Sequence, residues 1–388
     1  MAAVASLHGL SSRLAPRGRQ APAATPAVPR PRRRQGCPSV DGGAGAPAAA
    51  AAASRRPLRV CAVAQPLGPT AAPREVDVLH AEEQPSVRER LRGYYQLLRG
   101  WNALPSMALV LLGAWTGAGK TLLALKYFTV WFMGLASGAV AMASCAINDY
   151  FDWRIDAMND SSKPIPSGRI APDRALLAAC LLYIGLLALA CMVPNTGVRL
   201  IVAASSALTV LYTPLFKKQT LVKNCVVATT IAAAPLAGAL AAGAAGPGLH
   251  AVLAPSAFLW LGIMHREIMM DIQDRRGDGA AGVQTLPVVL GPRGAVAFCL
   301  ALLAACGALA AHAALLGRGL AWAWAGRPAL EAPLRCAALG GVAWVLSPNL
   351  ASTLRVLRSR FGRDEVSRAI SVAMSSVGLG TLLLAVLV

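Results

Sequence analysis

The chain has 388 residues, of which 56% are hydrophobic, and its mean hydropathy is +0.53. This hydropathy is too high for an ordinary soluble domain. The net charge is +19, from 37 basic and 18 acidic residues. The apolar stretches leave no basic surface interleaved with aromatic residues, so nucleic acid is excluded as a partner.

The N-terminal residues 1–64 are of low complexity and rich in Ala, Pro, Arg and Ser. Residues 1–74 hold eleven Arg and no Lys, against the single acid Asp41. We expect residues 1–64 to be disordered, because such a composition cannot bury a core. An Arg-rich, acid-poor segment is typical of an organelle transit peptide, and the sequence around Cys61 resembles a plastid processing site. We therefore predict a chloroplast membrane, with the mitochondrion, or a basic tail without a targeting role, as alternatives.

Residues 65–100 form a linker that becomes charged from residue 75 onward. Leu91, Tyr94, Tyr95 and Leu98 fall at helical spacing among these charges. This pattern predicts a short helix lying in the membrane interface ahead of the first span.

Residues 101–388 are predicted to form an all-α bundle that crosses the membrane about nine times. The apolar runs are long enough to span a bilayer. Pro348 interrupts the eighth run, so we expect a break there. The nine runs are centred near Leu111, Phe132, Leu182, Ser206, Ile231, Phe258, Ala304, Val342 and Val377.

Charge in the loops predicts the topology. The loops after the second, fourth, sixth and eighth spans, with their flanks, carry sixteen Lys and Arg, whereas the opposite loops and flanks carry six. By the positive-inside rule, the more basic loops and the N-terminus face the same aqueous compartment.

Two acidic motifs of identical spacing lie on this basic side. NDYFDWRID contributes Asp149, Asp152 and Asp156, and MDIQDRRGD contributes Asp271, Asp274 and Asp278. The spacing i, i+3, i+7 places each set on one face of a helix. A single D-x-x-D is most often a solvated helix cap, but two matching copies at span ends on the same side indicate a shared site.

Six neighbouring carboxylates require a cation between them, and oxygen ligands shared with substrate phosphates suit Mg²⁺. We therefore predict that all six bind Mg²⁺ and that a diphosphate is held between the motifs. Glu267, one helical turn before Asp271, is a further ligand or orienting residue. Bases on the same side are candidates for binding the remaining phosphate charge: Lys163, Arg169, Lys217, Lys218, Arg275 and Arg276.

The motifs also indicate an internal duplication. Asp149 and Asp271 are 122 residues apart, and each motif is followed by a turn containing Pro and Gly, KPIPSG and TLPVVLG. This arrangement predicts two related helical halves whose motifs meet at one cavity.

The chain from about residue 98 onward resembles the UbiA superfamily of intramembrane prenyltransferases. The resemblance rests on both acidic motifs together with KPIPSGRI and LYTPLFKK. It implies nine transmembrane helices around a central cavity open to lipid. It also implies Mg²⁺-dependent transfer of a prenyl group from a polyprenyl diphosphate to a small lipophilic acceptor.

The family's motifs can be carried over residue by residue. Asn148 and the three acids that follow it resemble the first metal–diphosphate motif, and the second set of acids resembles the second. The resemblance implies direct catalytic roles for Asp149, Asp152, Asp271 and Asp274. Tyr212 with Lys217, or with Lys218, resembles the Tyr/Lys element between the motifs. Arg99 and Asn102 resemble an Arg/Asn pair at the first helix, although the Pro usually found between them is absent.

The acceptor is left open by the sequence. A chloroplast address favours an aromatic quinone or tocopherol precursor, with a geranylgeranyl- or phytyl-type donor. KPIPSGRI and REIMMDIQDRRGD are similar to the archaeal geranylgeranyl-transfer branch, which makes a glycerol-phosphate lipid, or else chlorophyllide, the alternative acceptor. A cation-coupled transporter is the alternative from another class, but it needs its acids at the membrane midplane on broken helices.

Overall fold

A computed structural model describes residues 86–388, apart from positions 160, 217–218, 281, 318, 320, 322–324 and 326. The predicted transit peptide and the first part of the linker lie outside these residues. The α-helices are α1 (Val87–Leu97), α2 (Ala103–Gly117), α3 (Phe128–Asn159), α4 (Pro172–Cys191), α5 (Thr196–Leu211), α6 (Val222–Ala241), α7 (Pro247–Ala280), α8 (Leu286–Val289), α9 (Gly291–Leu316), α10 (Glu331–Arg358) and α11 (Arg363–Leu387).

The predicted helical bundle is confirmed. The centres of the nine predicted spans fall in α2 to α7 and in α9 to α11, one in each helix. By length and composition, seven of the described helices can cross a membrane. An eighth is the pair of α1 and α2, bent by 47°, while α5 is apolar but only 16 residues long. The chain is a multi-pass membrane protein.

The predicted interfacial helix is α1. It begins with a capping box, in which the Ser86 hydroxyl accepts from the Glu89 amide and the Glu89 carboxylate accepts from the Ser86 amide. Its buried positions are Gly93 and Leu97, whereas Leu91 of the predicted apolar face is exposed. A Cβ added at Gly93 would lie 3.2 Å from the Ile170 side chain in the loop after α3, so there is little spare room at this position.

The first half of the bundle is joined to the second by a close crossing of α2 and α6. A Cβ added at Gly113 would lie 1.9 Å from the Pro235 carbonyl oxygen, and one added at Gly238 would lie 1.9 Å from the Val110 carbonyl oxygen. Only glycine permits this backbone contact. In lipid, burying apolar side chains gives little net free energy, so helices associate through close backbone packing that small residues permit.

The second half is built around α7, which packs against α2, α6, α9 and α11. On its α11 side, Gly262 lies against Val377, and Phe258 lies against Gly380 of α11. The order of elements repeats that of the first half, because a long motif helix, a Pro-containing turn and a further span follow one another in both.

The predicted break at Pro348 is wrong. The helix α10 continues through this residue from Glu331 to Arg358. Proline cannot donate to the carbonyl four residues earlier, which here is that of Trp344. The Ser347 hydroxyl donates to the same carbonyl at 3.4 Å and compensates for part of the loss.

Candidate functional site between two acidic motifs

The first acidic motif lies on the C-terminal part of α3. The apolar span Phe128–Arg154 ends within the motif, and the helix continues to Asn159. Asp149, Asp152 and Asp156 are all buried. Since their spacing keeps them on one face of the helix, the three carboxylates are turned toward the protein.

Two bases from different segments pair with two of these carboxylates. Arg99 donates to Asp149 with an Nη2 to Oδ1 distance of 2.9 Å. Lys163, from the loop after α3, lies 2.7 Å from Oδ1 of Asp156. Arg99 has a φ of +46°, a left-handed conformation that is unusual for a residue other than glycine. This backbone turn, at the bend between α1 and α2, brings its guanidinium to the site.

The second motif lies near the C-terminal end of α7. Asp271 is buried, Asp278 is half-buried and Asp274 is exposed. Two residues from the first turn of α6 hold Asp271: the Lys223 ammonium lies 2.6 Å from Oδ1, and the Asn224 amide donates to Oδ2 at 3.0 Å. The sequence interpretation counted Lys223 only as a topology charge and missed Asn224. Their position in the sequence is the signal that could have identified Lys223 and Asn224: a basic residue and an amide residue stand together at the start of a span, on the same side as the motifs.

The two motifs share one electrostatic environment. Lys163 is paired with Asp156 of the first motif, yet its charge also acts on Asp274 of the second. Arg363, at the start of α11, acts on the same carboxylate. The predicted convergence of the motifs is therefore supported by a cation that lies within range of both.

Tyr212 begins the π-helical segment Tyr212–Phe216 that follows α5, and carboxylates of both motifs act on it. Burial raises the pKa of the Tyr212 phenol above its ordinary value, and the carboxylates of Glu267 and Asp271 raise it further. Asp152 and Asp278 act in the same direction. The hydroxyl thus stays protonated and can donate a hydrogen bond to an anion held between the motifs.

Other predicted residues have different surroundings. Arg169 donates to Gln96 at 2.5 Å and to Ser167 at 2.8 Å, and it also contacts the Ser162 carbonyl. These bonds tie its own loop to α1. Asn148 and Arg275 are half-buried on the motif helices, so their roles stay predictions. Lys217 and Lys218 lie outside the described residues.

Glu267 and Arg266 form a pair one turn deeper on α7 than Asp271. The Arg266 guanidinium donates through Nη1 to Oε1 of Glu267. Its Nε is buried without a hydrogen-bond partner. This arginine lies within an apolar span, where a charged side chain is costly.

The carboxylates fit a divalent cation by their chemistry. Oδ2 of Asp156 and Oδ2 of Asp278 are buried without hydrogen-bond partners, one in each motif. A buried carboxylate oxygen left in this way is a ready ligand for a hard cation. In the part of the chain that the structure describes, no three acidic, His or Cys side chains are close enough together to enclose a metal ion. Phosphate oxygens would have to complete the shell, as Mg²⁺ generally requires.

The fold and the site together describe a membrane enzyme: a multi-pass helical bundle in which two carboxylate motifs are surrounded by bases near the ends of their helices. Residues 106–358 match the UbiA prenyltransferase family, and the chain belongs to this family. The protein is a prenyltransferase, as its sequence motifs predict.

Curated relatives include archaeal digeranylgeranylglyceryl phosphate synthases. The one from Natronomonas pharaonis is 37% identical over 205 residues, which cover 53% of this chain and 71% of the relative. The one from Ignicoccus hospitalis is 34% identical over 238 residues, covering 60% and 76%.

Solved structures agree on the fold. A structure of digeranylgeranylglyceryl phosphate synthase matches with a TM-score of 0.57 at 22% identity, covering 77% of this chain and 99% of that one. An apo UbiA homologue from Aeropyrum pernix K1 matches with a TM-score of 0.54 at 21% identity, covering 72% and 96%. A UbiA homologue from Archaeoglobus fulgidus, bound to DMAPP and Mg²⁺, matches with a TM-score of 0.51 at 19% identity, covering 74% and 99%.

Proposed function

We propose that this protein transfers a geranylgeranyl-type group from its diphosphate to the hydroxyl of a glycerol-phosphate lipid, with Mg²⁺ as cofactor. The observation that carries this proposal is the 37% identity to a digeranylgeranylglyceryl phosphate synthase across 71% of that enzyme's length. It favours the glycerol-phosphate acceptor over the aromatic acceptor that the predicted plastid address first suggested.

The donor would bind between the motifs. The six aspartates of α3 and α7 would hold Mg²⁺, which neutralises the charge of a leaving diphosphate and polarises its oxygens. The Archaeoglobus fulgidus homologue bound to DMAPP and Mg²⁺ supports this pair of ligands. In this proposal Lys163 and Lys223, which pair with Asp156 and Asp271, would bind phosphate oxygens, and Tyr212 would donate a hydrogen bond to them.

The reaction breaks one carbon–oxygen bond and forms another. The allylic bond from C1 to the diphosphate oxygen breaks, and the electron pair leaves with the diphosphate. The acceptor hydroxyl oxygen bonds to C1 and loses its proton, for which the released diphosphate is a suitable base. Preorganised cations favour this step because they stabilise charge that develops only as the bond breaks. An apolar bundle interior protects the allylic cation from water.

The acceptor is tested with purified protein in nanodiscs. Radiolabelled geranylgeranyl diphosphate is offered with geranylgeranylglyceryl phosphate, homogentisate, a naphthoquinone precursor or chlorophyllide. We expect the fastest transfer to the glycerol phosphate, and faster transfer to any aromatic acceptor would overturn the proposal. Omitting Mg²⁺ should abolish product formation with every acceptor.

The aromatic acceptor remains a second candidate because of the N-terminal composition. Eleven Arg against one acid in residues 1–74 favour import into an organelle. A fluorescent fusion of residues 1–80 should enter chloroplasts. Mitochondrial entry would favour the alternative address, and a cytosolic signal would remove the argument for an organelle.

A further inference from the structure

The Arg266–Glu267 pair is not explained by donor binding alone. A guanidinium has five N–H donors in a planar fork, but the hydrogen bond to Glu267 uses only Nη1. Nε is buried and has no partner. The side chain as a whole is 27% exposed, so part of it other than Nε is accessible to an incoming group. Arg266 therefore has spare donors for an anion.

The position of Arg266 around α7 differs from that of the metal-binding face. Successive residues of an α-helix are rotated by about 100° around the helix axis. Glu267 therefore lies only about 40° from Asp271 around this axis. Arg266 lies about 100° beyond Glu267, in the direction away from Asp271. This position is within about 40° of Gly262 and Gln273, which meet Val377 and Ser367 of α11. Arg266 thus lies on the flank of α7 between its acidic face and α11.

This flank belongs to the bundle interior. The opposite flank of α7 carries His265, which hydrogen-bonds to Thr353 of α10 at 3.0 Å. The helix α2 contacts α6, α7 and α11. Since α10 lies against the His265 flank, α2 closes the other side of α7, and Arg266 lies beside the acidic face in the region bounded by α2 and α11.

The depth of Arg266 suits an acceptor. Arg266 precedes Asp271 by five positions, or about 7.5 Å along the helix axis toward the membrane interior. A glycerol phosphate whose hydroxyl attacks C1 of the donor places its phosphate a few bonds away from the diphosphate. An anion site close to the donor site, but separate from it, meets this requirement.

We propose that Arg266 binds the phosphate of the lipid acceptor and that Glu267 holds the guanidinium in position. This inference rests on the proposed glycerol-phosphate acceptor. Arginine suits the task because its fork matches phosphate oxygens in a bidentate manner.

The test compares geranylgeranylglyceryl phosphate with its dephosphorylated alcohol, at saturating geranylgeranyl diphosphate. The wild-type protein should prefer the phosphate. Arg266→Gln should raise the acceptor KM about 10- to 100-fold, as expected for the loss of a charged hydrogen bond. The KM for the diphosphate and the rate with the alcohol should not change. Arg266→Lys, which keeps the charge but loses the fork, should be intermediate.

A matched control removes an exposed arginine from the same basic side. Arg293→Gln, at the start of α9, should leave the acceptor preference unchanged. If it weakens the preference as much as Arg266→Gln does, net charge and not a binding site sets the preference, and the inference is wrong.

A double variant separates binding from charge balance. If Arg266 merely neutralises Glu267, Arg266→Gln combined with Glu267→Gln should recover the wild-type acceptor KM, which would overturn the inference. If Arg266 binds the phosphate, the double variant stays impaired. If the wild-type protein uses the glycerol phosphate and Arg266→Gln still prefers it over the alcohol, the role of Arg266 is refuted but the proposed function is not. A wild-type protein that does not use the glycerol phosphate would remove the proposed function and this inference together.

Discussion

The charged residues of the site come from distant positions in the chain. Arg99 precedes α2, Lys163 follows α3 and Lys223 begins α6, yet each is paired with an aspartate of a motif. Buried carboxylates are tolerated only when they are paired with cations or metals. These three pairs partly offset the cost of burying the aspartates, and under the proposed function the same bases would contact the phosphates of a bound donor.

Lys223→Ala should impair both activity and stability. Without the Lys223 ammonium, Asp271 stays buried and keeps only the Asn224 amide among the partners described above. Breaking a buried ion pair typically costs about 3–5 kcal/mol of stability. Prenyl transfer should fall about 100-fold, as for other losses of a preorganised charge. Initial rates and thermal unfolding in detergent measure the two effects.

Lys126→Ala is the control, because this lysine is exposed and lies outside the site. Lys223→Arg keeps the charge and should retain part of the activity. Wild-type rates for Lys223→Ala would show that the pair with Asp271 plays no part in donor binding.

Helix packing depends on a few small residues. The crossing of α2 and α6 leaves no space for a Cβ at Gly113 or at Gly238. The same pair of helices also positions α7 and, through the first turn of α6, Lys223. A change in how α2 and α6 pack would therefore also change the geometry of the site.

Gly238→Ala should destabilise the protein. The new methyl group would lie 1.9 Å from the Val110 carbonyl oxygen, so the two helices must separate. Overpacking of this kind typically costs about 1–3 kcal/mol. Gly185→Ala on α4 is the control, since its Cβ would meet nothing within 4 Å. The unfolding temperature should fall for Gly238→Ala and not for Gly185→Ala. Equal unfolding temperatures for the two variants would contradict the close contact between α2 and α6.

The sequence predicts elements better than it predicts contacts. Nine apolar runs predict nine helices because the bilayer sets their length and leaves few alternatives to the helix. The i, i+3, i+7 spacing likewise places each acidic set on one face. Pro348 misleads because α10 tolerates the missing donor within the bundle, as α6 and α7 tolerate Pro235 and Pro255.

Lys223 and Arg169 show why the rest could not be predicted. Both are basic residues in or beside loops on the predicted basic side, and their positions in the sequence do not show which side chain each one contacts. Lys223 reaches Asp271 only because α6 packs against α7, whereas Arg169 is occupied by Gln96 of α1. Such partners depend on the assembled bundle and not on local spacing.

At the scale of the whole molecule, a shared site requires both motifs on one side of the membrane. The loop charges, sixteen against six, predict that the loop at Lys163 and the end of α7 face the same compartment. One diphosphate cannot contact both motifs in any other topology.

Single cysteines test this topology. In a cysteine-free background, Ser162→Cys, Gly279→Cys and Arg199→Cys introduce thiols at exposed positions. In oriented vesicles, an impermeant thiol reagent should label positions 162 and 279 from the same side, and position 199 from the other. Labelling of 162 and 279 from opposite sides would exclude a shared site.

The central claim is that the aspartates of α3 and α7 form one metal–diphosphate site. The direct test is single-turnover prenyl transfer by Asp149→Asn and by Asp271→Asn in nanodiscs, with thermal unfolding measured in parallel. Each change preserves side-chain size but removes a charged ligand. We expect each variant to fold and to lose at least about 10²–10³-fold in rate, as for other losses of transition-state stabilisation. Additional acceptor should not restore the rate, whereas high Mg²⁺ should restore part of it. A rate near that of the wild-type protein in either variant would contradict the shared site and reopen the transporter interpretation.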